Sequence, residues 1–304
     1  MSKYAILDIG TNSIKFFIAE IKNGKIHTII DTNNISRLGE GLQKTGKISP
    51  EAMERNTQVL ADFLKIAEKE NVEEITAVGT MCLRTAKNAS EFIKKVKNEL
   101  NLEIEVVDGE EEARLSYLAI LSTLGIADKN VIVFDTGGGS TEFIFGEGTE
   151  LKNRISLNIG AVYPTEKFLL SDPVTDEELK TTFSYIENFF AEHDLSGNPD
   201  VLFGIGGTVT SMGAVKHKME KYNPEIIQGS TMELEEVERQ IELYKSKTIE
   251  ERKNITGLQP KRADVILAGA AIVKTIMKTF GKDSFIISDR GLRHGLMYDK
   301  YIAR

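Results

Sequence analysis

The sequence predicts an α/β protein built from two similar halves, and three observations predict it. Apolar runs of strand character alternate with stretches of helical periodicity along the 304 residues. A strand–turn–strand segment near the N-terminus, "KYAILDIGTNSIKFF" (Lys3 to Phe17), returns in mid-chain as "VIVFDTGGGSTEFIF" (Val131 to Phe145), so that one structural unit occurs twice. Within it, Asp8-Ile9-Gly10-Thr11-Asn12-Ser13 lies over Asp135-Thr136-Gly137-Gly138-Gly139-Ser140. The composition, 41% hydrophobic and 28% charged, supports a buried core within a hydrophilic surface.

The elements follow in order. After the first strand–turn–strand, "KIHTIIDTNN" reads as a third strand. Ser49-Pro50-Glu51 opens a helix, with serine as N-cap and proline at the first helical position. "EEITAVGT" is a strand, 89–100 a helix, "EIEVVDG" a strand, and "EEEARLSYLAILSTLG" a helix closed by Gly125. In the second half, strands are expected at 131–135, 142–145, 151–158, 201–204 and 285–287. Helices are expected near 175–193, 208–218, 233–245, 262–280 and 292–302. The periodicity breaks at "GIADKN", which gives domains 1–124 and 125–304, expected to face each other across a cleft.

Several classes are excluded. No stretch approaches ~18 uninterrupted apolar residues, so no transmembrane helix and no membrane partner are expected. "MSKYAILDIG" has too short an apolar run for a signal peptide and no small-residue cleavage site, so the expected compartment is the cytoplasm. The single cysteine, Cys82, rules out an intramolecular disulfide and a cysteine-based zinc site, and reads as a packing residue. Four scattered histidines give no metal pattern. A net charge of −8 speaks against nucleic acid as a partner. A polyanionic substrate would then need a local basic patch or a divalent cation.

The glycine turns supply a reason to expect such a substrate. Phosphate is held well by several backbone N–H groups aimed at one spot, and glycine permits both the tight turn and the close approach. Gly10, Thr11, Asn12 and Ser13 in the first turn, and Gly137, Gly138, Gly139, Ser140 and Thr141 in the second, are therefore candidate phosphoryl-binding residues. Thr11, Ser13, Ser140 and Thr141 can add hydroxyl donors. A third glycine turn, in "VLFGIGGTVTS", places Gly206, Gly207 and Thr208 at a helix start, where the macrodipole also favours an anion. Val209 stands where a dinucleotide fingerprint needs its third glycine, and no P-loop motif occurs. The plain alternative for each turn is a flexible hairpin.

Carboxylates bracket these turns. Asp8 and Asp135 end apolar strands, where a carboxylate is costly to desolvate unless paired or bound to a cation. Mg²⁺ suits a place beside a phosphate cradle, since it takes one or two carboxylates together with water and phosphate oxygens. A hairpin brings Glu142 near Asp135, so Asp8, Asp135 and Glu142 are the candidate Mg²⁺ ligands. Asp108-Gly109 opens a helix whose Glu110 and Glu111 complement its dipole. Glu112 is placed to accept a proton from an attacking water, with Arg114 a structural partner in the alternative. In "GTMCLRTAKNAS", Thr80, Arg84 and Asn88 share one face if the stretch is helical. Arg84 can then clamp phosphate with its planar fork. Lys216, Lys218, Lys261, Arg262, Arg290 and Arg293 offer either a basic track for a polyanion or ordinary solvated charges.

Taken in order, "DIGTNSIKFFIAE", "RLGEGL", "GTMCLRTAKNASEF", "DGEEEARLSY", "FDTGGGSTEF" and "GIGGT" resemble the exopolyphosphatase and guanosine pentaphosphate phosphohydrolase (Ppx/GppA) family. That family belongs to the acetate kinase, sugar kinase, Hsp70 and actin superfamily. Thr11 stands where serine is common and Lys15 where arginine is common. "SDRGLRHGLM" resembles the family's terminal glycine-containing segment, with Arg290 and His294 where other residues are frequent. The resemblance covers essentially the whole chain and is to the short, two-domain members. It implies two actin-like (ASKHA, ribonuclease H-like) α/β domains facing across a cleft. It implies Mg²⁺-dependent hydrolysis of the terminal phosphoanhydride of polyphosphate or of guanosine pentaphosphate (pppGpp). It also implies Glu112 as the base, Asp135 and Glu142 as magnesium ligands, Arg84 in the phosphate site, and Asn12, Ser13 and Gly137 to Thr141 in phosphate loops.

Exopolyphosphatase is thus the expected activity, with pppGpp phosphohydrolase as the alternative. A non-catalytic actin-like nucleotide switch would use Gly206-Gly207-Thr208 for adenosine, but no partner-binding domain is visible. A sugar kinase lacks an obvious sugar-binding insertion. A two-fold homodimer is the default assembly.

Overall fold

The computed structural model describes residues 2–124, 129–148, 150–193 and 195–302, so residues 125–128 of the expected break and the closing Gly125 lie outside it. The chain forms two compact units, one of residues 1–123 with 291–304 and the other of residues 124–290.

In the first unit, β1 (Lys3–Ile9), β2 (Ile14–Lys22), β3 (Lys25–Asn34), β4 (Glu74–Gly79) and β5 (Ile104–Val106) make one sheet in the order β3-β2-β1-β4-β5. β1, β2 and β3 are an antiparallel meander, while β1, β4 and β5 run parallel. The helices are α1 (Leu42–Thr45), α2 (Pro50–Lys69), α3 (Met81–Thr85), α4 (Ala89–Leu100) and α5 (Gly109–Leu124). Ser49 caps α2 as its sequence predicts, accepting from the Ala52 amide.

The second unit repeats this plan. Its strands are β6 (Asn130–Thr136), β7 (Thr141–Glu147), β8 (Glu150–Leu157), β9 (Val201–Ile205), β10 (Thr231–Glu233) and β11 (Ser284–Ile287). They lie in the order β10-β11-β9-β6-β7-β8. Taken from β8 inward, the sheet matches the first strand for strand, with the same parallel and antiparallel pairs, and β10 adds an antiparallel edge. Its helices are α6 (Val162–Phe168), α7 (Asp176–Ala191), α8 (Gly206–Lys216), α9 (Pro224–Ile227), α10 (Leu234–Lys245), α11 (Ile249–Arg252) and α12 (Ile266–Thr279), with a 3-10 turn at Pro260–Arg262. The sequence reading left α6, α9, α11 and β10 unassigned.

Both sheets are covered on two faces, which is why their central strands read as near-continuous apolar runs. Ala5, Leu7 and Ile9 enter the core under α2 and α4, while Ile6 meets the other face with Phe17 and Ala19. Because side chains alternate along a strand, Asp8 shares the face of Ile6, and Asp135 shares that of Val133 rather than of Phe134.

The last helix, α13 (Leu292–Tyr301), departs from the expected division, which gave all of 125–304 to the second half. It returns to the first unit, where Met297 is buried with Ile6 and Phe17, and Leu292 with Val78, Val107 and Leu115. Gly295 allows this approach, since a Cβ there would stand 1.7 Å from the Leu115 carbonyl oxygen. The apolar period of α13 shows that it packs, but not on which sheet.

Candidate active site

Two hairpins carry matching turns. In β1–β2, Asp8 faces Lys15 across the ladder, and the Gly10 amide donates to the Ser13 carbonyl at 3.0 Å. In β6–β7, Asp135 faces Glu142, and the Gly137 amide donates to the Ser140 carbonyl at 2.9 Å. A following loop closes on each turn. Gly39 and Arg37 donate to the carbonyls of Thr11 and Asn12, and Ala161 and Val162 donate to those of Gly137 and Gly138, at 2.9 to 3.0 Å. Among the described residues, the amides of Thr11, Asn12 and Ser13, and of Gly138, Gly139 and Ser140, donate to no backbone carbonyl. The carbonyls are therefore engaged behind each turn while its N–H groups remain for an anion. Glycine is required at 160, where a Cβ would lie 2.4 to 2.5 Å from the backbone of Gly138 and Gly139.

The charges at the turns differ. Asp8 is buried, and Lys15 donates to its carboxylate at 3.0 Å. Asp8, an expected metal ligand, thus has a lysine as its ion-pair partner. Asp135 and Glu142, directly opposite each other, present two carboxylates from one face of the sheet, and Ser156 Oγ donates to Glu142 at 3.2 Å. This donor set fits a hard, hydrated divalent ion that completes its shell with water and phosphate oxygens. Among the described residues no cluster of three or more His, Cys, Asp or Glu side chains exists.

One expected hydroxyl donor, Thr141, and the hydroxyl of the candidate residue Thr208 are engaged inside the fold. Thr141 Oγ1 donates to the Ile159 carbonyl at 2.6 Å, and Thr208 Oγ1 to the Thr136 carbonyl at 2.8 Å, both buried. They brace the turn instead of reaching a ligand. The third glycine turn also has an internal purpose. Gly206, at φ 84° in the left-handed region, leaves room for the Asp135 carboxylate, which a Cβ would approach to 1.9 Å. Gly207 leaves room for the Arg262 guanidinium, 1.8 Å from the place of its Cβ.

Arg262 is thus a member of this site that sequence reasoning found only as one of several basic residues. Burial pulls its basicity down, against the opposing charges of Asp135 and Tyr222. Its Nε is buried without a hydrogen-bond partner among the described residues. Nothing local in "LQPKRADV" marks it, because the approach is made by tertiary packing.

In the first unit, Glu112 and Arg84 meet. Arg84 donates through Nη1 to Glu112 and to the Val107 carbonyl, both at 2.8 Å, and both side chains remain partly exposed. Asp108 caps α5 by accepting from the Glu111 amide at 2.8 Å, which fixes Glu112 in the first turn. Arg114 is structural: it grips both Glu111 and Asp299, and these carboxylates raise its pKa. Thr80, Arg84 and Asn88 do not share one helical face, because α3 ends at Thr85 and Ala86 is extended. The Asn88 amide instead clamps both backbone groups of Ile48 at 2.9 Å. Burial pushes the Cys82 thiol up to about 11, as befits a packing residue.

Two members of the suggested basic track are engaged in ion pairs. Lys216 is paired with Glu233, and Arg293 is bidentate to Asp31 at 2.8 and 3.0 Å. His294 joins the same carboxylate at 2.9 Å through Nε2, and its Nδ1 accepts from the Gly291 amide. Arg290 is half-buried, its amide donating to Ser288 Oγ.

A family model described as the Ppx/GppA phosphatase family matches residues 17–303. The chain is 36% identical over 297 residues to a bifunctional 3-dehydroquinate synthase/phosphatase of Fusobacterium nucleatum, covering 94% of this chain and 44% of that protein. It is 30% identical over 313 residues to exopolyphosphatase 2 of Mycobacterium tuberculosis, covering 97% of this chain and 98% of that one. It is 31% identical to the guanosine-5'-triphosphate,3'-diphosphate pyrophosphatase of Photobacterium profundum, covering 97% of this chain and 59% of that protein. It therefore spans less than half of the first relative, somewhat over half of the third, and nearly all of the second. A solved Ppx/GppA family member from Aquifex aeolicus has a TM-score of 0.89 at 36% identity, covering 99% of this chain and 98% of that one.

Proposed function

The chain belongs to the Ppx/GppA phosphatase family, and from that premise we propose that it hydrolyses phosphoanhydrides, releasing orthophosphate from the end of inorganic polyphosphate. Guanosine pentaphosphate is the second reading, favoured by the similarity to a pyrophosphatase of that nucleotide class. The two substrates differ only beyond the terminal anhydride.

The observation that supports this most is the Asp135–Glu142 pair beneath a turn whose Gly138, Gly139 and Ser140 amides donate to no backbone carbonyl. Those amides hold the terminal phosphoryl oxygens. Asp135 and Glu142 hold a divalent cation, Mg²⁺ in this proposal, which when bound neutralises charge on the phosphate. Glu112 takes the proton of the attacking water, and Arg84 keeps its carboxylate oriented. Asp8, with Lys15 as its built-in cation, keeps the first turn in shape without a metal. The same reading keeps the cytoplasm as compartment and a two-fold homodimer as assembly. No helix among the described residues is long and apolar enough to cross a membrane.

The test is phosphate release from tripolyphosphate, longer polyphosphates and pppGpp, each with and without Mg²⁺. Release from at least one, dependent on the cation, is expected. ATP binding without release from any of them would favour a nucleotide switch and end the proposal.

A further inference from the structure

α6 begins where the chain closes on the triple-glycine turn. The Ala161 and Val162 amides hold the carbonyls of Gly137 and Gly138 at 3.0 and 2.9 Å. A helix of this length has little stability of its own, so its orientation depends on what its side chains touch. Lys167 is exposed, yet its ammonium lies 5.0 Å from the ring centroid of Tyr163, 5.3 Å from that of Phe168 and 5.8 Å from that of Tyr185. It also donates to the Tyr163 hydroxyl at 2.6 Å. Tyr163 and Phe168 belong to α6 and Tyr185 to α7, with ring pairs at 5.6 and 5.0 Å across the two helices. The Tyr163 hydroxyl together with the neighbouring rings of Phe168 and Tyr185 is an arrangement that attracts and holds a cation. Here the protein's own lysine fills it.

We propose that Lys167 is a positioning residue for the phosphate-holding turn: its caged ammonium fixes α6 on α7 and thereby the two amides that hold the turn from behind. The link is stiff. Gly160 has its backbone against Gly138 and Gly139, with no space even for a Cβ, so a shift of α6 moves the turn instead of being absorbed. The Tyr163 hydroxyl raises the pKa of the ammonium, so the cation persists across the neutral range. The inference rests on the reading of this turn as a phosphate cradle.

The experiment compares wild type with Lys167→Met, Lys167→Arg, Tyr185→Leu and the Lys167→Met/Tyr185→Leu double variant. The first readout is hydrogen exchange at the Ala161 and Val162 amides, which needs no activity. Lys167→Met should speed it about three- to five-fold, the range a solvent-accessible cation–π contact supports. The second readout is kinetics on tripolyphosphate, where KM should rise by a similar factor with kcat within about two-fold. Lys167→Arg should restore both values, and the double variant should be no worse than Tyr185→Leu alone, because cation and cage act as one unit. Unchanged exchange at Ala161 and Val162 in Lys167→Met, or an arginine that rescues nothing, overturns the proposal. Faster exchange with an unchanged KM also overturns it, since the brace would then not reach the turn. If wild type releases no phosphate, the functional reading falls, while the exchange result still decides whether Lys167 braces α6.

Discussion

The β1–β2 and β6–β7 hairpins share a register, a turn hydrogen bond and a loop that closes on their carbonyls, yet a different residue faces the aspartate in each. Lys15 stands across from Asp8, and Glu142 across from Asp135. The backbone of such a turn is copied here without its electrostatics. The first hairpin contains its own cation. The second sets two carboxylates side by side, a placement that favours a cation from solution. The closing loops are also braced by unlike means. In the first unit, Arg55 on α2 donates to the Ser36 and Arg37 carbonyls, and Asn56 bonds Ser36. In the second, Lys167, with the Tyr163 hydroxyl and the rings of Phe168 and Tyr185, holds α6.

The largest expected effect lies outside both hairpins and tests what they serve. Glu112→Gln should lose about 10²–10⁴-fold in kcat while tripolyphosphate still binds, if Glu112 is the base. Undiminished phosphate release in this variant contradicts that role. Asp135→Asn should lose about 10²-fold or more at ordinary Mg²⁺, with partial recovery in excess cation. Glu142→Lys sharpens the comparison by writing the first hairpin's charge pattern into the second. Its residual rate should no longer respond to Mg²⁺, and a retained wild-type response would show that the charge difference does not set cation dependence.

Smaller effects concern stability in the first unit. Burial alone would raise the Asp31 carboxyl, yet the His294 hydrogen bond and the Arg293 guanidinium hold it at about 2, below its ordinary 3.8. A depressed carboxylate stabilises the fold above its unfolded pKa and loses that contribution as pH falls through its folded pKa. Wild type should therefore lose about 2 kcal/mol between about pH 4 and pH 2 from this group, a component that denaturant unfolding should find missing in Asp31→Asn. Lys15→Met should cost about 1–2 kcal/mol, because Asp8 is left buried without its cation while the lysine itself was partly solvated. No loss in Lys15→Met would mean that Asp8 does not depend on it.

The duplicated plan was legible because it rests on local patterns. Apolar alternation, the Ser49-Pro50 helix start and the repeated Asp-x-Gly turn each sit within a few residues. The opposition of Asp135 and Glu142 follows from a tight hairpin, and the same geometry, applied to the first copy, places Lys15 opposite Asp8. Arg262 could not be found this way. Its approach to Gly207 depends on how the Pro260–Arg262 turn packs on α8, which no sequence spacing encodes. The Thr141 hydroxyl, expected to donate to a ligand, donates to a carbonyl for a related reason: a hydroxyl in a glycine turn reads the same whether it meets a ligand or a carbonyl behind the turn. The return of α13 to the first sheet was hidden because amphipathicity names a buried face and not its partner.

The most direct measurement is a Mg²⁺ titration of orthophosphate release from tripolyphosphate by wild type and Asp135→Asn. Saturable dependence on the cation in wild type, displaced to higher concentration in the variant, is the expected result. Release that needs no divalent ion, or one half-saturation point shared by both proteins, would contradict the assignment of cation and phosphate to the Asp135–Glu142 hairpin.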